Sequence, residues 1–321
     1  MFFFGGKRRM MTTEAAFLLL YGRDPSQAEA DRLKGLMDGT ETELDLMRRI
    51  IGASDRQTLG TPVLIRMGSN DVRFVQLDGF QLATDRTDIA VAYEIVGNGI
   101  YEEHLTALFR NILRPGMSFV DVGANIGYFT MLASSLVGPT GLVSAFEPNT
   151  ENCRQILLSV SRNGFDNIKL YPLALTESIG SAFFSSAIGS NGALLSSADA
   201  TLMNPNCLVV ATAPMTLLVD KVDVIKMDVE GAEGVVVKGA LPLIEKYRPI
   251  VTAEFSMEMI PRVSGMSGLE FIEMFTRRNY RVELLDRVHR TDARTPIDDP
   301  AAFVADYGPL TRIEDLVFLP N

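Results

Sequence analysis

The sequence predicts an α/β fold: a doubly wound, mostly parallel sheet preceded by a small all-helical module. Three observations carry this reading. From residue 116 onward short apolar runs alternate with amphipathic helical stretches, a Gly-rich turn follows the first of these runs, and five of the runs end on or beside an acid. The chain has 321 residues, 47% hydrophobic and 22% charged. That is enough apolar material for one large core or two modest ones, and it excludes a peptide, a disulfide knot and a disordered tail.

The elements follow in order. From Thr12 to about Thr58 the period is helical, with stripes at Ala16, Leu19 and Leu20, then Leu33, Leu36 and Met37, then Leu44, Met47, Ile50 and Ile51. Turn residues Gly22 to Ser26 and Asp38 to Thr40 separate the three, with Ser26 and Thr40 as N-caps. These narrow stripes define a helical module at 1–60, suited to a protein partner or self-association. Its start, Met1-Phe2-Phe3-Phe4 ahead of Lys7-Arg8-Arg9, reverses the order of a signal peptide. Residues 61–115 hold a hairpin, Val72–Leu77 with Gln81-Leu82-Ala83 about Asp78-Gly79, and an amphipathic helix from Tyr101 to Leu113. The main domain spans 116–321. It carries seven strands, at 118–122, 141–146, 168–173, 222–228, 249–255, 280–285 and 316–319, interleaved with helices at 127–137, 150–163, 233–246 and 267–279. The Ser- and Ala-rich segment 178–214 has two readings: a lid or substrate loop, or a pair of edge strands at 182–184 and 208–210.

Charge and composition exclude several functions. Thirty Lys and Arg against forty Asp and Glu leave a formal charge of −10, which repels phosphate backbones and anionic membranes, so no nucleic-acid partner is expected. No apolar run approaches the roughly 20 residues of a membrane-spanning helix. Cys153 and Cys207 lie far apart, and His104 and His289 are the only histidines, so no zinc-site spacing exists. A reducing, cytoplasmic location fits.

Doubly wound sheets bind ligands beyond the carboxyl ends of their strands. The first such loop is Asp121-Val122-Gly123-Ala124-Asn125-Ile126-Gly127-Tyr128-Phe129-Thr130. A dinucleotide fingerprint needs glycines at 123, 125 and 128, but 125 is Asn and 128 is Tyr, which disfavours an NAD-dependent oxidoreductase. Glu147 closes the second strand, where an acid accepts both hydroxyls of a ribose. Asp121 and Glu147 about a turn without a basic residue suit a ligand with ribose and positive charge but no phosphate. S-adenosyl-L-methionine meets that description. Asp228, at the end of strand 222–228, shares a face with Lys226 and is followed by Glu230, where a methyl acceptor should sit. A carboxylate there can orient a hydroxyl and take its proton. In the competing reading Lys226 pairs with a carboxylate to finish the strand and Glu230 caps the next helix. Asp228, Glu230 and Glu254 could offer oxygens to a hard cation, but nothing fixes a ligand count and no metal is assigned. His104 is read on the surface of its helix, with entry to the pocket from the side as the alternative; His289 is read as solvated.

Three motifs occur in order: Asp121 to Thr130, Ala145-Phe146-Glu147-Pro148, and Asp223-Val224-Ile225-Lys226-Met227-Asp228-Val229-Glu230-Gly231-Ala232-Glu233. Together they resemble the FkbM family of S-adenosylmethionine-dependent O-methyltransferases over roughly residues 72–287, and Tyr101-Glu102 resembles that family's Tyr-Glu pair. The resemblance implies a seven-stranded, Rossmann-like class I methyltransferase domain at 116–321 that methylates hydroxyls of sugars, glycans or polyhydroxylated secondary metabolites. The expected site follows. Asp228, Glu230 and Lys226 are the catalytic candidates. Asp121, Gly123, Asn125, Gly127, Tyr128, Glu147, Ala174 and Asp228 would bind the cofactor, and Glu254, Glu102 and His104 the acceptor. Leu20-Tyr21-Gly22-Arg23-Asp24-Pro25 resembles a small helical module attached to glycan-related enzymes. A non-catalytic scaffold built on the same sheet is the remaining alternative.

Overall fold

A computed structural model describes residues 72–85, 91–188, 191–195, 207–307 and 312–321. The helical module expected at 1–60 lies outside these residues. The hairpin is present: β1 (Val72–Leu77) and β2 (Phe80–Asp85) pair antiparallel across Asp78-Gly79, with Gly79 at φ +93°. A two-residue hairpin loop demands that left-handed conformation, which glycine adopts without strain. Then come α1 (Val91–Asn98), for which the sequence reading had no element, and α2 (Glu103–Ile112). In α2, Leu105, Leu108 and Phe109 are buried. Phe109 meets Phe119 and Phe129 edge to face at 5.2 and 5.4 Å, and Tyr101 packs on Tyr128 and Phe129 at 5.7 and 6.1 Å, which together hold α2 and the residues just before it against the main domain.

That domain runs β3 (Ser118–Val122), α3 (Tyr128–Val137), β4 (Leu142–Phe146), α4 (Thr150–Asn163) and β5 (Ile168–Tyr171). A second set follows: β6 (Ala174–Leu175), β7 (Gly180–Ile188), β8 (Asn191–Leu194) and β9 (Cys207–Ala213). The chain resumes with β10 (Val224–Met227), α5 (Glu233–Tyr247), β11 (Ile250–Ser256), α6 (Met259–Ser264) and α7 (Gly268–Thr276). It closes with β12 (Tyr280–Leu285), β13 (Arg294–Pro296), α8 (Pro300–Ala305) and β14 (Ile313–Pro320).

The main sheet has eight strands in the order β13-β12-β14-β11-β10-β3-β4-β5. This corrects the seven-stranded expectation. The added strand, β13, is three exposed residues long, too short for any periodic signal. The sheet is also mixed: β3, β4, β5, β10 and β11 are parallel, whereas β14 runs antiparallel to both β11 and β12. Apolar alternation reports that a strand exists and is silent on its direction. From β3 the chain winds outward to β4 and β5, then returns to β10 on the other flank of β3. The carboxyl ends of β3 and β10 therefore bound the crevice where such sheets take ligands. Every residue of β3 and β10 is buried, so this crevice stands on the core of the sheet.

In segment 178–214 the strand pair exists, with Ala182 opposite Val210, Phe183 opposite Val209 and Phe184 opposite Leu208. It belongs to a separate four-stranded sheet, β6-β9-β7-β8, and not to an edge of the main one.

Candidate active site

A cavity of about 270 Å³ lies at the β3/β10 crevice. At one end stand Asn125, Phe146, Glu147, Pro148, Leu173 and Ala174; at the other, Tyr101, Glu102, Asp228, Glu230, Glu254 and Arg287. Phe184, Gly192 and Leu194 of the small sheet complete the wall, so segment 178–214 also faces the site.

The turn after β3 is shaped by its own contacts. A Cβ on Gly123 (φ +75°) would lie 1.9 Å from the Asp228 carbonyl oxygen, so only glycine lets the β3 and β10 loops cross this closely. Gly127 (φ +91°) likewise abuts Ile156. The N–H groups of Gly123 and Ala124 donate to the Phe146 carbonyl, that of Asn125 to Glu147 Oε2 at 2.8 Å, that of Ile126 to the Asn125 side chain, and that of Gly127 to the Ala124 carbonyl. A phosphate-binding loop keeps such amides for its ligand. Here five in a row are bonded within the protein.

Glu147 takes a second N–H, from Asn149, on Oε1 at 2.8 Å. Burial nonetheless pushes its carboxyl up to about 7, against the pull of those bonds. Beneath the other end lies Lys226, 3% exposed. Its ammonium bonds Asp228 Oδ2 and the Gly123 carbonyl at 3.2 Å each and stands 3.8 Å from Asp121 Oδ1. Burial works against the charged lysine, but Asp228, Asp121 and Glu102 outweigh it and hold Lys226 above the usual lysine value. Burial raises Asp121 as well, although Lys226 and Thr130 oppose the shift.

Glu102, in the left-handed region at φ 41°, is raised to about 8 by burial and then by Asp228 and Asp315. Glu254 lies well above its ordinary value through burial, then Asp228 and Glu230, and Glu230 is raised by burial and Asp228. Carboxylate oxygens of Asp228, Glu230 and Glu254 lie within 4.8 Å of one another. That spacing alone defines no metal site, and none is assigned.

The expected residues divide cleanly. Gly123, Asn125, Glu147, Ala174, Asp228, Glu230, Glu254 and Glu102 line the cavity. Asp121, Lys226, Gly127, Tyr128 and His104 stand behind the wall. Asp121 is 0% exposed and bonded by Thr130 at 2.6 Å; Tyr128 accepts from Thr106 within the aromatic core. His104 is buried, not on the helix surface, with Nε2 2.7 Å from Asp315 Oδ2, while His289 is exposed as read. Of the competing reading for Lys226 and Glu230, the lysine half is present. The capping half belongs to Glu233, whose carboxylate takes the Val229 N–H ahead of α5. Arg287 is a lining residue that the sequence reading did not single out. Its place just past the end of β12, on the rim shared with β11, was the signal available.

Raised carboxyls set a pH dependence. Unfolded, these glutamates titrate near their ordinary 4.5; folded, Glu147 holds its proton to about 7, and Glu102 and Glu233 to about 8. Between those limits the folded chain binds more protons, so stability is present at the acid end and lost as pH rises. The ligand-free protein should show a falling Tm from about pH 5 to about pH 8 in thermal scans, and a rising Tm over that range would contradict the burial of these acids.

Fold and site together define a doubly wound α/β protein of the methyltransferase-like kind, with an acid-lined cavity at its switch point. The chain belongs to the FkbM methyltransferase family: the model of the methyltransferase FkbM domain matches residues 121–282, about half of the sequence. Similar solved structures include methyltransferase FkbM from Methylobacillus flagellatus KT, with 18% identity and a TM-score of 0.42 over 67% of this chain and 47% of that one. Aeropyrum pernix fibrillarin, in complex with natively bound S-adenosyl-L-methionine, has 14% identity and a TM-score of 0.38 over 79% and 96%. P. horikoshii TYW2 in complex with MeSAdo has 13% and 0.40 over 94% and 93%. The match thus spans about half the length of the Methylobacillus protein. A search of curated proteins gives no match.

Proposed function

We propose that this protein transfers a methyl group from S-adenosyl-L-methionine to a hydroxyl of a sugar, glycan or polyhydroxylated secondary metabolite. The observation that carries the reading is the division of the cavity: apolar and aromatic groups around Glu147 at one end, four carboxylates at the other, and a Gly turn whose amides are already bonded. The apolar end suits a nucleoside, and the carboxylates suit a cationic centre beside a neutral hydroxyl. When bound, the cofactor supplies an electrophilic methyl group on a sulfonium. Glu147 lines the cavity where the ribose hydroxyls would lie, and Asn125 and Ala174 line it as well. Asp228, tethered by Lys226 at 3.2 Å, is fixed in direction, so it orients the acceptor. Glu230, raised by burial and held at φ 53°, is the base. Glu102 and Glu254 complete the acceptor wall.

The same wall disfavours a phosphodiester acceptor, and the closed amides disfavour a dinucleotide. Both cysteines are free, which supports a cytoplasmic assignment. We assign residues 1–60 to a helical module for a partner or a second copy. Calorimetry with S-adenosylhomocysteine tests the first step; a folded sample that does not bind it would sink the proposal. Labelled cofactor offered to free sugars, nucleotide sugars, lipid-linked sugars and RNA should then mark the neutral hydroxyl compounds, and labelling of RNA alone would overturn the acceptor class.

A further inference from the structure

Arg287 is, among the described lining residues, the one cation of the cavity wall. Its guanidinium reaches three carboxylates from three elements: Nε lies 3.4 Å from Asp315 Oδ2 on β14, Nη1 3.8 Å from Glu254 Oε1 on β11, and Nη2 4.0 Å from Glu102 Oε1 at the start of α2. Asp315 is itself buried and held from behind by His104 at 2.7 Å. It also sits opposite Glu254 in the β11/β14 register. The turn that presents Arg287 is pinned at its base by β13, with Leu285 opposite Arg294 and the Asp286 N–H bonded to the Ala293 carbonyl. Of these contacts only the Asp315 pair approaches hydrogen-bond distance. Arg287 Nη1 and Glu102 Oε2 are buried without a hydrogen-bond partner. One firm attachment and two longer reaches describe an arm fixed at its foot and shared between two carboxylates.

We propose that Arg287 is the positioning residue of the acceptor wall, holding Glu102 and Glu254 across the cavity from one another with the buried His104–Asp315 pair as its footing. The methyl-transfer reading supplies only the name of the wall; the geometry stands without it. Burial and neighbouring acids raise both carboxyls, and Arg287 opposes that rise. Glu102 faces Asp228, Asp315, Lys226 and Arg287, and Glu254 faces Asp228, Glu230, Glu233, Asp315 and Arg287. Arg287 is thus the cation common to both, and it stays charged because Asp315, Glu102 and Glu254 outweigh its burial.

The test uses the full chain labelled with glutamate carrying 13C at the side-chain carboxyl, with pH titration followed by NMR. In Arg287→Gln the midpoints of Glu102 and Glu254 should both rise by about one unit, since an opposite charge at this range lowers a carboxyl by that order. Arg287→Lys should restore most of the shift, which a purely structural arginine would not. Midpoints that stay put in Arg287→Gln overturn the proposal. Should that variant fail to fold, His104→Gln retains Arg287 while removing its footing, and the same two midpoints should rise; unchanged midpoints again overturn it. S-adenosylhomocysteine calorimetry on the same samples keeps the two readings apart. Binding absent in the parent protein removes the methyl-transfer reading and leaves the titration to decide Arg287. Binding lost in Arg287→Gln alone places Arg287 at the cofactor end and overturns the proposal.

Discussion

Glu230→Ala and Asp228→Ala each lower methyl transfer by ~10²-fold or more, the usual worth of a positioned proton acceptor, while affinity for S-adenosylhomocysteine changes little. The two should differ in character. In the proposed mechanism Glu230 takes the proton, so its loss should fall on kcat. In the same mechanism Asp228, tied to Lys226 at 3.2 Å, aims the hydroxyl, so its loss should fall on kcat and KM together. Steady-state kinetics with the acceptor found by labelling separates these outcomes, and full turnover in both variants would remove the pair from the mechanism.

Lys226→Met should produce the largest loss of stability. Lys226 is 3% exposed and Asp121 0%, and removing the ammonium leaves a buried carboxyl with only the hydroxyl and backbone N–H of Thr130 bonded to it. Removing one partner of a buried pair costs about 3–5 kcal/mol. The Gly123 carbonyl also loses its donor, loosening the turn at the crossing with Asp228. Adding Asp121→Asn to Lys226→Met should recover part of the loss, because the orphaned charge is then gone. Urea denaturation of the two single variants and the double measures this directly, and a Lys226→Met protein as stable as the parent would show that the network contributes nothing.

The sequence made much of this legible, and for definite reasons. Glu147, Asp228 and Glu230 stand within three residues of a strand end, and the Gly123 and Gly127 turn is local, so spacing along the chain reveals them. His104 and Arg287 do not behave this way. His104 is 211 residues from the Asp315 that buries it. Arg287 lies in a charged turn that reads as solvated until β13 and β14 are in place. Asp121 and Tyr128 carried the right motif, but the motif reports the turn's shape and not which side chains face out of it. The helix α1 and strand β13 are short enough for period to be silent.

The position of β14 bears on how the molecule assembles. Its neighbours β11 and β12 precede it in the chain, yet it lies between them. The end of the cavity bearing Glu147 is built by β3, β4 and β5, which are contiguous in sequence and pair in chain order. Closing the opposite end requires β14 to enter a gap held open between two earlier strands, a long-range step that comes late in folding. A refolding chain should therefore acquire affinity for the nucleoside before it acquires Asp315, and with it the footing of Arg287. Competence to bind precedes competence to discriminate.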